Sequence, residues 1–193
     1  KHGVLAAVCD IIPQKADEMA ALYQARPYYS IEALLAHEPG LNVVSICTPN
    51  GLHATNAIQA LEAGINVLCE KPLCTNSVDG DKMIAAAASA SKKLFVVKQN
   101  RYNPPVAFLK KLINNGMLGK IYSFQINCFW NRPDGYYTDW KGKKDLDGGT
   151  LFTQFSHFID LLYWLLGDVA TVQTKAKNFA HATIEFEDTG MVL

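Results

Sequence analysis

Glu70 and Lys71 stand side by side immediately before Pro72. A carboxylate and an ammonium held together in this way can orient a polar ligand, and the ammonium can donate to an oxygen that gains negative charge. Further along, Thr153, His157 and Asp160 fall at i, i+4 and i+7 of an apolar run, with Gln154 beside them, a spacing that shares one helix face. On that face His157 is the proton acceptor of choice, because imidazole titrates near neutral pH, and Asp160 is spaced to orient it. A single histidine in an apolar helix is usually a satisfied core residue. Three polar residues along one stripe need a polar destination.

The elements that must position these groups are legible in the hydrophobic pattern. Residues 65–69 form a short apolar run between Gly64 and Pro72, which reads as a strand buried on both faces of a parallel sheet. In open α/β sheets ligands occupy the crevice beyond the carboxyl ends of the strands, where Glu70 and Lys71 would be delivered. The plain alternative, two solvated charges in a turn, is outweighed by the surroundings. Residues 41–47 make a preceding strand broken by Thr48-Pro49-Asn50, and residues 53–63 a helix closed by Gly64. Together these form a βαβ unit of roughly 30 residues. Pro49 fixes its own φ and Gly51 permits close backbone approach, which suits a flat cofactor ring and its ribose.

Upstream, residues 4–9 read as a strand ending in Asp10, followed by a helix over residues 14–23. An acid at such a strand tip matches the ribose-binding acid on the second strand of a Rossmann unit. The glycine-rich loop of that unit lies about 20 residues earlier, so the first strand and its phosphate loop are expected to precede this sequence. Ser30 is placed to cap a short helix. Residues 94–98 form another strand, with Gln99 and Arg101 just past its end, and Arg101 suits an ion pair as well as a ligand contact.

Asn103-Pro104-Pro105 punctuates the chain, and we place a domain boundary there, with 1–102 as a dinucleotide-binding unit and 103–193 as a substrate or oligomerisation unit. In residues 120–130 apolar and polar side chains alternate, the pattern of a half-buried antiparallel strand. The loop that follows carries Arg132, Tyr136, Tyr137, Trp140 and Lys141. Its aromatic rings offer flat faces to a sugar or a nicotinamide, and its arginine can pair a carboxylate or diphosphate. A helix is expected from Gly148-Gly149 to Leu166, closed by Gly167, and strands over 169–177 and 183–193 of a sheet whose remainder lies beyond Leu193. The fold class is α/β plus α+β: a Rossmann-type parallel sheet joined to a second unit with an antiparallel sheet.

Composition narrows the function. Eighteen basic and eighteen acidic residues cancel, which leaves no electrostatic footprint for nucleic acid or an anionic membrane. The longest apolar stretches are too short to span a bilayer. The five cysteines show no metal-ligand spacing and read as small buried thiols, which favours a reducing cytoplasm and no metal.

Thr48-Pro49-Asn50, His53, Ala60-Leu61-Glu62-Ala63-Gly64 and Cys69-Glu70-Lys71-Pro72, in that order, resemble the glucose–fructose oxidoreductase and inositol dehydrogenase (Gfo/Idh/MocA) family. The resemblance implies a dinucleotide-dependent sugar or cyclitol oxidoreductase with Lys71 at its active centre and a homo-oligomer, dimer or tetramer. The family's Gly-x-Gly-x-x-Gly is absent. Its helix motif, Gly-Gly-Gly-x-Leu-x-Asp-x-Gly-x-His-x-x-Asp, is matched at His157 and Asp160, but Thr153 replaces the first aspartate and Phe155 the glycine. These departures, with Trp130-Asn131-Arg132-Pro133, Tyr136-Tyr137, Trp140 and Gln154-Phe155-Ser156-His157, are similar to the branch that oxidises UDP-linked N-acetylglucosaminuronate.

Lys71 and His157 are therefore the expected catalytic pair. Asp10, Thr48, Pro49, Asn50, His53, Glu70, Lys71, Gln99 and Trp140 are expected around NAD, with NADP disfavoured because Asp10 would repel a 2′-phosphate. Lys71, Arg132, Tyr137, Gln154, Ser156 and His157 are expected around a sugar or nucleotide-sugar substrate. A non-catalytic protein that senses a dinucleotide or sugar is the alternative. Thr153 and the missing phosphate loop fit it, whereas keeping both Lys71 and His157 argues against it.

Overall fold

The architecture is seen in a computed structural model that describes residues 3–193. Strand β1 (Ala7–Cys9) pairs in parallel with β2 (Arg26–Tyr28), and α1 (Pro13–Tyr23) crosses between them. Strands β3 (Val43–Ile46), β4 (Asn66–Cys69) and β5 (Leu94–Val96) form a parallel sheet in that order, with Ile46 opposite Cys69 and Cys69 opposite Val96. The helix α2 (Ile31–His37) leads into β3, α3 (His53–Glu62) joins β3 to β4, and α4 (Ser77–Ser89) joins β4 to β5. In the doubly wound order 3-2-1-4-5-6, β2-β1 correspond to positions 3-2 and β3-β4-β5 to positions 4-5-6. The strand at position 1, which carries the glycine-rich loop, has no counterpart among the described residues.

Local chemistry explains these elements. Ser30 Oγ accepts from Ala33 N at 3.2 Å and Asn76 Oδ1 from Asp79 N at 2.9 Å, capping α2 and α4. Gly64, at φ +80°, follows the end of α3 and turns the chain into β4. Ala54, Ala57, Ala60 and Leu61 of α3 pack with Met83 and Ala87 of α4 over Ile46, Val67 and Cys69 of the sheet. Alanines at these positions let the helices approach the sheet closely. Burial pushes the Cys69 thiol up to about 12, so it behaves as a small hydrophobe. Cys9 and Cys47, expected to be buried, are exposed.

Three expectations need correction. The strand expected over 4–9 is confined to Ala7–Cys9, because it pairs only with β2, whose Arg26-Pro27 start carries no apolar signal. Residues 120–130 keep their alternation, with Phe124, Ile126 and Cys128 half-buried between exposed Ser123, Gln125 and Asn127. They pair with no strand among the described residues, and periodicity alone does not make a ladder. The single helix expected from Gly149 is two, α7 (Thr150–Thr153) and α8 (Ser156–Leu166). The remaining elements are α5 (Pro104–Asn114), α6 (Lys144–Asp147) and the antiparallel pair β6 (Thr174–Lys177) and β7 (Thr189–Val192), in which Thr174 faces Val192. None of the described helices is long and apolar enough to cross a membrane.

The 3-10 turn Asn50–Leu52 at the end of β3 lies against α6. Asn50 Nδ2 donates to Asp147 O at 2.8 Å, and a Cβ on Gly51 would sit 1.9 Å from Asp145 O. No side chain fits that gap without moving backbone. Gly51→Ala should therefore cost about 1–3 kcal/mol or more, lowering the melting temperature of the full-length protein. Gly40→Ala, where a Cβ meets nothing within 4 Å, is the control. Equal melting temperatures for the two variants would show that α6 does not press on this turn.

Candidate active site

The carboxyl edge of the parallel strands gathers the residues singled out in the N-terminal part. Asp10 follows β1; its Oδ1 accepts from Ile12 N at 2.8 Å, which leaves Oδ2 for a ribose hydroxyl. Thr48 and Pro49 follow β3, Glu70 and Lys71 follow β4, and Gln99 stands exposed beyond β5. This set of a strand-tip carboxylate, backbone and polar side chains fits a dinucleotide laid along the sheet edge. Asn50 and His53 turn inward instead. Both are buried, and the His53 ring bridges Pro72 O at 2.7 Å and Thr48 O at 2.9 Å. Their side chains brace the β3 and β4 ends, so any action on a cofactor passes through the backbone they hold. Trp140 is half-buried in the loop before α6.

The break between α7 and α8 creates the central contact. Gln154 N and Phe155 N both donate to Thr150 O, and Phe158 N and Ile159 N both donate to Phe155 O. In an unbroken helix the Thr153 carbonyl would accept from His157 N. Here it accepts from Lys71 Nζ at 2.9 Å, which brings Lys71 to the helix start where His157 is buried. Gly148 and Gly149 lead into α7. Both have positive φ, and a Cβ on Gly148 would lie 2.6 Å from Thr75 Cγ2. Thr153 Oγ1 is spent on Gly149 O at 2.9 Å.

Asp160 does not orient the imidazole. Its carboxylate takes Arg101 Nε at 2.8 Å and Nη2 at 2.6 Å, with Lys98 Nζ at 3.9 Å. Arg101 is thus an ion-pair partner. Asp160 lies one turn after His157 in α8, but Arg101 and Lys98, just past β5, claim its carboxylate. Burial lowers the Lys71 pKa, and Lys98 and Arg132 lower it further against the pull of Glu70 and Asp147. Burial also lowers the His157 pKa, with Lys71 and Lys98 adding to the effect, so the imidazole is held neutral.

On the other side stands the aromatic loop. Arg132 Nη2 donates to Gln154 Oε1 at 3.0 Å, Gln154 Nε2 donates to Tyr136 OH at 2.8 Å, and the guanidinium lies 4.7 Å from the Tyr136 ring centre. Arg132 Nε and Ser156 Oγ are buried with no hydrogen-bond partner among the described residues. Orphaned buried polar atoms of this kind are what a polar ligand would satisfy. Tyr137 packs edge-on against His181 at 5.0 Å and Tyr136 at 5.2 Å.

Sequence reasoning missed Asp147 and His181, and named Tyr136 in the aromatic loop without placing it beside Gln154. Asp147 is buried, its carboxyl is pushed up by desolvation, and it accepts from Gly142 N at 2.8 Å. Its place before Gly148-Gly149 was the available signal; His181, tied to no other residue by a recognisable spacing, had none. A cavity of about 480 Å³ lined by Arg101, Tyr102, Lys110 and Trp164 includes none of the residues around Lys71, and the chemistry rather than the hollow marks the site.

Comparison with known proteins agrees with this geometry. Residues 1–98 match the family model described as oxidoreductase family, NAD-binding Rossmann fold, and residues 106–193 match the GFO/IDH/MocA C-terminal domain. The structure superimposes on the WlbA dehydrogenase of Bordetella pertussis, solved with NADH and UDP-GlcNAcA, with TM-score 0.93 and 40% identity, covering 97% of this chain and 58% of that one. The WlbA dehydrogenase of Chromobacterium violaceum, solved with the same ligands, gives 0.93 and 42%, covering 97% and 54%. Levoglucosan dehydrogenase of Pseudarthrobacter phenanthrenivorans is 32% identical over 168 residues, 86% of this chain and 43% of the relative. The chain spans about half the length of the curated relatives it matches. It belongs to the Gfo/Idh/MocA oxidoreductase family, with a Rossmann domain of the NAD-binding type.

Proposed function

We propose that the full-length protein is an NAD-dependent dehydrogenase that oxidises a secondary alcohol on a nucleotide-linked sugar uronate. The observation that carries this reading is the meeting of Lys71 and His157 at the sheet's carboxyl edge, with Lys71 Nζ anchored on the Thr153 carbonyl. A sensor of the same fold has no use for that pair. The substrate class is supported by the two WlbA structures, which hold UDP-GlcNAcA, and by the orphaned Arg132 Nε and Ser156 Oγ, donors suited to a carboxylate and a hydroxyl.

Bound NAD would supply the acceptor for the hydride leaving the alcohol carbon. Asp10 would hold its adenosine ribose, while the Thr48-Pro49 backbone, Glu70, Gln99 and Trp140 would hold the rest. Lys71 donates to the reacting oxygen and lessens the cost of its developing charge. His157, neutral because burial and Lys71 lower its pKa, takes the hydroxyl proton as the carbonyl forms. Arg132, fixed by Gln154, pairs the uronate carboxylate, with Tyr137 and Ser156 completing the sugar's surroundings. Thr153 needs no carboxylate in this scheme, because its contribution is its backbone carbonyl. The division near residue 102, a cytoplasmic setting for the free thiols and a homo-oligomeric assembly belong to the same reading.

The direct test offers the full-length protein a panel of UDP-sugars with NAD or NADP. Reduction of NAD should be fastest with the uronate and slow with the uncharged parent sugar. No reduction with any member, despite measurable NADH binding, would favour the sensor.

Lys71→Met keeps the volume and deletes the charge. Turnover should fall on the order of a hundredfold, as for a lost oxyanion donor, while NADH affinity changes little. The residual activity adds a second readout. Lys71 lowers the His157 pKa, so removing its charge should move the acidic limb of the pH profile upward.

The wild-type acidic limb follows from the same direction. A free base fails as pH drops through its pKa, and the His157 pKa lies below the ordinary value of 6.5. The limb in kcat/KM should therefore fall below pH 6.5, and His157→Asn should flatten it while retaining the fold. A limb that survives in His157→Asn would assign it to another group.

A further inference from the structure

The segment between β6 and β7 is folded around a single carboxylate. Asp188 accepts from Phe179 N at 3.0 Å, Ala180 N at 2.8 Å and His181 N at 3.2 Å, and from Thr189 Oγ1 at 2.9 Å. Burial alone would raise the Asp188 pKa, but these donors hold it far below the usual carboxylate range, so it is an anchored anion. Asn178 braces the same turn: its Nδ2 donates to His181 O at 2.7 Å, and His181 N lies 3.1 Å from its Oδ1.

From this anchor the buried His181 side chain reaches a different part of the chain. Nδ1 lies 3.0 Å from Asp188 Oδ2, and Nε2 lies 2.7 Å from the main-chain oxygen of Arg132. The ring also meets Tyr137 at 5.0 Å. Arg132 is therefore held twice: its guanidinium by Gln154 and the Tyr136 face, its backbone by His181. Asp188 orients a ring whose far nitrogen fixes the residue proposed to read the substrate.

We infer that His181, anchored by Asp188, is a positioning residue of the substrate site, setting the Arg132 main chain and with it the guanidinium that pairs the sugar carboxylate. It does not touch substrate and takes no part in proton transfer. The inference rests on the reading of Arg132 as the carboxylate ligand. Small displacements of a positioned charge have large kinetic effects, reaching about a hundredfold for a shift of about 1 Å. The cost should appear in substrate KM, because the contact belongs to a part of the sugar that does not react.

The test is a double-mutant cycle on the full-length enzyme, with UDP-N-acetylglucosaminuronate and NAD as varied substrates. The variants are His181→Leu, His181→Gln and Arg132→Ala, singly and combined. His181→Leu should raise the uronate KM on the order of tenfold, with the NAD KM within about twofold and kcat changed less than KM. His181→Gln keeps a donor and should recover part of the loss. Both effects should vanish in the Arg132→Ala background, since nothing is left to position. Should the leucine variant not fold, the smaller rise in His181→Gln must still vanish there. Equal factors with and without Arg132, or a lower melting temperature with KM unchanged, would overturn the positioning role and leave His181 a core contact. An unchanged uronate KM in Arg132→Ala would instead remove the carboxylate reading of Arg132, and the inference with it. A rise there but in neither His181 variant overturns the inference alone.

Discussion

The hydrogen bond from Lys71 Nζ to the Thr153 carbonyl, 2.9 Å long and spanning 82 residues of sequence, is the contact on which the site depends. A bond from a charged donor is worth about 1.5–3 kcal/mol net, enough to hold one rotamer of a long side chain against its lost entropy. It exists because the helical ladder is interrupted between α7 and α8, which releases a carbonyl that an unbroken helix would have consumed. Asn50 Nδ2 to Asp147 O, across 97 residues, ties the end of β3 to α6 in the same manner. The two bonds seat the start of the C-terminal helices on the carboxyl edge of the parallel sheet, and everything proposed for the site is built on that seating.

Charge is distributed with the same economy. The chain has no net charge, yet Lys71, Lys98 and Arg132 converge on one half-buried region. Asp160, the carboxylate nearest in sequence to His157, is occupied by Arg101 and lies within reach of Lys98. The balance leaves His157 among cations, which keeps its imidazole neutral and able to accept a proton. Three cations in one region also suit the proposed substrate, which bears a carboxylate and a diphosphate, better than a neutral sugar.

Preorganisation recurs at three levels around Arg132. Its guanidinium is fixed by Gln154 and the Tyr136 face, its backbone by His181, and His181 by an aspartate that gathers three consecutive backbone donors. A loop with this many internal ties loses little freedom when a ligand arrives, so more of the contact energy goes into binding. Arg132 Nε and Ser156 Oγ remain buried without a partner among the described residues, and in the proposed reading they are left for the ligand's own polar atoms.

The amino-acid sequence by itself determined the parallel α/β character, the caps at Ser30 and Gly64, the strand-tip placement of Asp10 and Lys71, and the family. These follow from local periodicity, turn chemistry and a motif read in order, none of which needs distant contacts. Tertiary structure decided the rest. It split the expected helix at Gln154-Phe155, because hydrogen bonds to Thr150 and Phe155 replace the regular ladder and no propensity forbids a helix there. It gave Asp160 to Arg101 rather than His157, since two residues spaced for one face still compete for partners from other elements. It turned Asn50 and His53 inward, where unpaired backbone carbonyls needed donors. It left the alternating stretch 120–130 without a ladder, because a strand is completed by its neighbour and not by its own pattern. It joined His181 to Arg132 across 49 residues, a pairing that no spacing rule connects and only the fold brings within a hydrogen bond.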